Sequence, residues 1–253
     1  MFHFVWLKIF IQPIYNLLIL CYLISKDLGL AIVIVTVIIR LLLYPLFKRQ
    51  FHTQRELNEV QKEINKLRIK YKNNPRRLQE EMIRLYQERG VAPWSGCLPL
   101  ILQLPIFIAI YQVFRVYLTS AKFSLLYSFI PHPSSLSLVS LGFLHLDKPD
   151  FYVLPYLVGI TQYLLTKMTM GLSFKTEKLK TKEPSQVEQI NKITLYSMPL
   201  FLALISFTLP SAIVLYFLVS NIFSIIQSYV FYKKAPLVKI KEKNEEQKPK
   251  RKS

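Results

Sequence analysis

Five stretches of the chain stay apolar for about the length of a bilayer crossing: Leu28–Phe47, Cys97–Tyr117, Tyr152–Thr169, Thr194–Leu209 and Ala212–Tyr232. At 1.5 Å of rise per residue, roughly 20 such residues traverse a hydrocarbon core ~30 Å thick. The pattern therefore predicts an all-α integral membrane protein with five transmembrane helices. The fourth stretch is short, and Leu209-Pro210-Ser211 separates it from the fifth. Proline ends one helix and readily begins the next, so a tight turn fits this joint. Pro99, Pro105 and Pro199 are compatible with spanning helices, because neighbouring helices satisfy the carbonyls that proline frees.

Residues 4–25 are also apolar, with Lys8 as their one charge. As a sixth span they need a reversal at Lys26-Asp27 and an inside N-terminus. As a helix lying on the outer interface they leave the count at five. Pro13 interrupts the run, and Trp6, Tyr15 and Tyr22 suit the headgroup level. We read 1–27 as an N-terminal interfacial amphipathic helix, with the sixth span as its alternative.

Between the first two spans the period changes. In 48–93, Leu57, Val60, Ile64, Leu67 and Tyr71 recur at spacings of three and four with charges between them, the seam of an amphipathic helix. Lys72-Asn73-Asn74-Pro75 ends it, since the residue before proline avoids the α region and Asn tolerates the left-handed one. Leu78, Met82 and Leu85 supply a second, shorter stripe. Two antiparallel helices joined by a tight turn follow, either a docking arm or a plain solvated connector.

Charge sets the orientation. The net charge of +18 would point to nucleic acid in a soluble protein, but 52% of the residues are hydrophobic and the cations are segregated between apolar runs. Of the 33 Lys and Arg residues, 12 fall in 48–93, six in 167–192 and nine in 233–253, whereas the loop 118–151 holds only Lys122 and Lys148. The positive-inside rule then makes the helical hairpin 48–93, the loop 170–193 and the basic tail 233–253 cytoplasmic. The N-terminus and 118–151 are extracytoplasmic, and the C-terminus is inside. The two cysteines, Cys21 and Cys97, show neither disulfide nor metal spacing, and Leu18-Ile19-Leu20 before Cys21 does not read as a lipoprotein cleavage site.

Arg40 is the most informative residue. It lies within the first span, about two turns from the cytoplasmic end, where a cation costs about 2.5–3.5 kcal/mol. None of the five spans contains Asp or Glu. The guanidinium must then meet water, polar side chains or a transient anion. Thr36 lies one turn earlier on the same face, and Gln103 sits at a comparable depth in the second span. Tyr216, Ser220, Ser224 and Gln227 make one polar stripe on the last span. Together these residues fit a wet groove. Two blander accounts stand beside it. One has Arg40 snorkelling to the headgroups, which needs a reach of roughly 10 Å. The other has the stripe on the last span serving helix packing.

These residues also resemble a known family. Arg40-Leu41-Leu42-Leu43-Tyr44-Pro45-Leu46, the hairpin, Pro93-Trp94-Ser95-Gly96-Cys97-Leu98-Pro99, Gln103-Leu104-Pro105-Ile106-Phe107 and Pro210-Ser211-Ala212-Ile213-Val214-Leu215-Tyr216 with Val219-Ser220-Asn221 look like the YidC/Oxa/Alb insertases, in order and spacing over about residues 6–233. The chain looks like the insertase core without the large extracytoplasmic domain of some bacterial members. The resemblance implies five core spans after an amphipathic helix, and a groove open to cytoplasm and lipid. Arg40 matches the groove's arginine, and Thr36 and Gln103 match its polar positions. Tyr216 matches the first of two tyrosines in the last span; Phe217 stands where the second is often found, and Ala92 where Asn is common. The family's basic tails help to recruit ribosomes, and 233–253 is similar in charge.

The function expected is a membrane protein insertase and chaperone, with Arg40, Thr36, Gln103, Tyr216 and Ser220 as the substrate groove. Its partners would be nascent membrane proteins, the lipid bilayer and the ribosome, the last through the basic tail and loops. Acting alone and acting beside the Sec translocon both fit, and no specific nucleic-acid sequence is implied. A small-solute transporter or anion channel is the alternative, though no inverted repeat is visible. An enzyme is not expected: no H-E-x-x-H, G-x-S-x-G or phosphate loop occurs, and no cofactor or metal site is read. A bacterial plasma membrane is the expected location, since no transit peptide precedes the core.

Overall fold

The computed structural model describes residues 6–90, 98–118, 125–133, 136–174 and 186–234. The motif Pro93–Cys97, Ala92, the middle of loop 170–193 and nearly all of the basic tail lie outside the described residues. Those described form eight α-helices and one two-stranded hairpin.

Helix α1 (Gln12–Ser25) is preceded by a π turn over Leu7–Ile11. It stops where Lys26 turns left-handed at φ 58°. Asp27 then caps α2 (Leu28–Leu42), its carboxylate accepting from Leu30 N at 2.9 Å. The two helices fold back on each other: Tyr15, Leu18, Ile19 and Tyr22 share one core with Leu28, Ala31, Ile32 and Val35.

The first predicted span, drawn to Phe47, is broken earlier. Helix α2 ends at Leu43 and α3 (Tyr44–Lys70) leaves it at a bend of 66°. Pro45 is the cause. It has no N–H to donate to the turn before it and its ring crowds that turn, yet it fits the first turn of a new helix. Helix α4 (Pro75–Arg89) returns along α3, with Leu57, Val60 and Ile64 buried against Met82, Leu85 and Tyr86. Gln61 Nε2 donates to Tyr86 OH at 3.3 Å, and Arg89 pairs with Glu63. Asn74 does not enter the left-handed region as expected. At φ −136° it caps α4, accepting from Arg77 N at 3.1 Å, and Pro75 takes the first helical position.

Helix α5 (Leu98–Gln112) contains Pro105 and continues as a π turn over Val113–Leu118. Helices α6 (Leu154–Phe174), α7 (Gln186–Ser206) and α8 (Ser211–Lys234) complete the bundle. Both α6 and α7 extend beyond the apolar stretches that predicted them, because a helical hydrogen-bond ladder continues through polar residues. Two described helices, Leu7–Ser25 and Ser211–Phe231, are each long and apolar enough to cross a membrane, and α2 with α3 would make a third if counted as one broken span. The apolar stretch Ile193–Ser206 is shorter.

Segment 125–148 ties three helices together. Asn16 Nδ2 donates to Leu125 O at 2.8 Å, and Asn16 Oδ1 accepts from Tyr127 N at 2.7 Å. Ser137 N donates to Tyr22 OH at 3.1 Å. The hairpin of β1 (Val139–Ser140) and β2 (Leu144–His145) then reaches Asp27, which accepts from Ser140 Oγ at 2.6 Å and Leu141 N at 2.8 Å. At the start of α8, Ala212 N donates to Leu146 O, and Ser211 donates to Lys148 O through both N and Oγ.

Candidate functional site

Arg40 lies in the last turn of α2 and is only 7% exposed. The sequence leaves two routes for such a cation, snorkelling outward or facing a polar interior. Its Nη2 donates to Gln103 Oε1 on α5, at a long 3.5 Å. Gln103 Nε2 in turn donates to Tyr216 OH on α8, at 2.5 Å. One chain of side chains therefore crosses three helices, and the guanidinium points inward rather than to the headgroups. Phe47, in the first turn of α3, lays its ring over the same guanidinium, 4.5 Å from Cζ to the ring centroid. No carboxylate pairs with Arg40 among the described residues.

The arrangement leaves the guanidinium with unspent capacity. It carries five N–H donors. Its contacts are one amide oxygen near the limit of hydrogen bonding and one aromatic face. A low-dielectric surrounding strengthens any ion pair such a cation makes.

Of the other expected residues, Thr36 is buried but spends its hydroxyl on Ile32 O one turn back, at 2.6 Å. It makes no hydrogen bond to Arg40, and lines a small crevice with Val35, Ile110 and Tyr216. Ser220 is buried one turn beyond Tyr216 on α8. Farther along the same helix Ser224, Gln227 and Ser228 are buried as well, and both amide atoms of Gln227 and the hydroxyl of Ser228 have no hydrogen-bond partner in the protein. Buried polar atoms almost always find partners, so this half of α8 offers unused donors and acceptors to the bundle interior. Asn221, on a neighbouring face, reaches Thr161 on α6 at 3.4 Å.

Residues 20–239 match the family model described as 60Kd inner membrane protein. The chain belongs to that family. Within the 60Kd inner membrane protein family it is similar to the membrane protein insertase YidC of Oceanobacillus iheyensis, 32% identical over 90% of this chain and 84% of that one. It is 35% identical to the membrane protein insertase YidC of Aquifex aeolicus, over 94% of this chain and 41% of that one. The corresponding figures for Wigglesworthia glossinidia brevipalpis are 31%, 90% and 37%. The chain thus spans less than half the length of two of these relatives. A crystal structure described as an active YidC insertase with its first transmembrane domain resolved aligns at a TM-score of 0.58 and 26% identity, covering 91% of this chain and 47% of that one.

Sequence reasoning missed Phe47 in this family member. Spacing alone gave no signal: seven residues put Phe47 about 10 Å from Arg40 along a straight helix. The break at Leu43 is what swings the ring back over the cation.

Proposed function

We propose that this chain inserts nascent membrane proteins into the bilayer through a groove centred on Arg40. The observation that carries the reading is the buried guanidinium, held by Gln103 and capped by Phe47, with no carboxylate of its own. Membership of the family and likeness to proteins named insertases support it. A five-span topology, with the α3–α4 hairpin and the basic tail in the cytoplasm, fits the distribution of Lys and Arg.

Helix α1 belongs on the outer side in this reading. Trp6 Nε1 donates to Gln112 Oε1 at 3.1 Å, and Gln112 precedes the outer end of its helical segment, Leu118, by roughly 9 Å of rise. The other end of α1 meets the start of α2. Both ends therefore lie in the outer half of the bundle, despite a length and composition that suit a span. The irregular backbone at Leu125, Tyr127 and Ser137 is bonded along α1 from Asn16 to Tyr22, and such backbone avoids lipid.

Insertion then runs on simple forces. An acidic segment of the nascent chain enters from the cytoplasm, and its carboxylate replaces Phe47 or Gln103 at Arg40. The inside-negative potential favours its outward movement by ~2.3 kcal/mol per charge per 100 mV. The substrate's apolar helix leaves along the bundle into lipid, releasing about 25 cal/mol per Å2 of apolar surface, which is the larger driving term for a whole span. No nucleotide is required. Ribosome recruitment by the tail, and work alone or beside the Sec translocon, belong to the same proposal.

The test is insertion of single-span substrates with acidic or neutral tails by Arg40→Ala and Arg40→Lys. Arg40→Ala is expected to lose several-fold on acidic tails and little on neutral ones, with Arg40→Lys between. Wild-type insertion of every substrate by Arg40→Ala removes the residue from the mechanism.

A further inference from the structure

A second charged site lies far from the groove. Where the outer ends of α2 and α5, segment 138–149 and the α7–α8 turn converge, they line a half-open cavity of about 480 Å3, within the usual ~300–1,000 Å3 of small-molecule sites. Its wall is largely apolar, with Phe114, Leu146 and Leu209 among its residues. Two charged side chains interrupt that wall. Arg115 is one, held in place by Tyr111 of its own helix, to whose hydroxyl it donates and over whose ring it lies. Asp147 is the other. They form no ion pair with each other, and Asp147 forms none with any described residue. Opposite charges in one cavity that leave each other unpaired complement a ligand carrying both signs.

We propose that this cavity binds the headgroup of an aminophospholipid of the outer leaflet. The phosphate meets Arg115, the primary ammonium meets Asp147, and the glycerol end lies against the apolar wall. The depth follows from the five-span reading above, on which this inference rests, and from the aromatic side chains beside the cavity. Phe151, Tyr152 and Tyr156 follow directly on the segment that lines it and are well exposed, as residues at a membrane interface are. A phosphate alone would satisfy Arg115 and repel Asp147. A zwitterionic lipid satisfies both, so the carboxylate predicts selectivity by headgroup.

Native mass spectrometry of the purified full chain tests this, with phosphatidylethanolamine, phosphatidylcholine and phosphatidylglycerol offered in equal amounts. The chain's net charge of +18, concentrated in 48–93, 167–192 and 233–253, favours the anionic lipid at those segments, so the comparison is stringent. Phosphatidylethanolamine is expected to be retained roughly two- to five-fold over phosphatidylglycerol, the factor a partly exposed ion pair supplies. Phosphatidylcholine, whose ammonium has no N–H, should fall below phosphatidylethanolamine. Asp147→Asn should abolish the preference, and Arg115→Gln should weaken retention of all three lipids. The proposal is overturned if wild type retains phosphatidylglycerol equally or better, or if the preference persists in Asp147→Asn. It is overturned too if soluble glycerophosphoethanolamine displaces the lipid at equal concentration. The wild-type comparison needs no variant to fold. Arg40→Ala should keep the lipid preference while losing insertion, so failure here and failure of the insertion mechanism are told apart.

Discussion

Asp27 joins two elements through one carboxylate. It caps α2 through Leu30 and receives Ser140 Oγ and Leu141 N from the β1–β2 hairpin. Partial burial opposes its ionisation, but the hydrogen bonds from Ser140, Leu141, Leu30 and Gly29 outweigh it and hold the carboxyl below its ordinary value. A carboxyl with a lowered folded pKa stabilises the fold fully above its unfolded value, ~3.9, and that support fades as pH falls through the folded value. Asp27→Ala is expected to cost about 1–2 kcal/mol near neutral pH. The margin of wild type over Asp27→Asn should close as pH falls from about 4 through the lowered folded value. Thermal unfolding in detergent reads both, and a margin that survives in acid contradicts the assignment. At this scale Arg40 was legible in the sequence, because an uncompensated cation in an apolar run is energetically conspicuous. The fate of Thr36 was not: a threonine hydroxyl can turn to its own helix, and spacing does not tell which way it turns. Nor was Phe47 legible, whose place depends on a bend.

The α3–α4 pair was readable as an element because its seam repeats every three or four residues, and Leu57, Val60 and Ile64 of that seam are buried while Leu67 and Tyr71 are half-buried. The end of α2 was not, because hydropathy continues unbroken from Leu28 to Phe47 while Pro45 breaks the hydrogen-bond ladder inside that run. The seating of the β1–β2 hairpin was hidden too. It depends on Gly29, whose missing side chain lets Ser140 approach α2. A Cβ there would lie 2.7 Å from the Ser140 Cβ and overlap its hydroxyl. Gly29→Ala is therefore expected to destabilise the fold by about 1–3 kcal/mol, the usual cost of overpacking. Adding Ser140→Gly should recover part of that loss, leaving the double variant less damaged than the two single losses added together. Unfolding temperatures of the four proteins measure the coupling. Strict additivity means that the two residues do not touch.

For the whole molecule, the alternation of basic and base-poor segments was the legible feature, since it is a matter of counting. The bonds that Leu125, Tyr127, Ser137, Ser140 and Leu141 make to residues more than a hundred positions away have no periodic trace, because each is a single contact between a helix side chain and a loop. Topology is testable with single cysteines at Lys8 and Arg76 in a Cys21→Ala, Cys97→Ala background. An impermeant reagent should label position 8 in intact cells and position 76 only after the inner face is opened. Labelling of position 8 from the inner face alone identifies a sixth span. The tether along 125–148 has a mechanical consequence. It pins the C-terminal end of α1, the N-terminal end of α2 and the N-terminal end of α8 at a single rim, as the ribs of a fan are pinned. Ribs fixed at one rim spread most at the other, so in the proposed insertion mechanism an entering segment would part the free tips first.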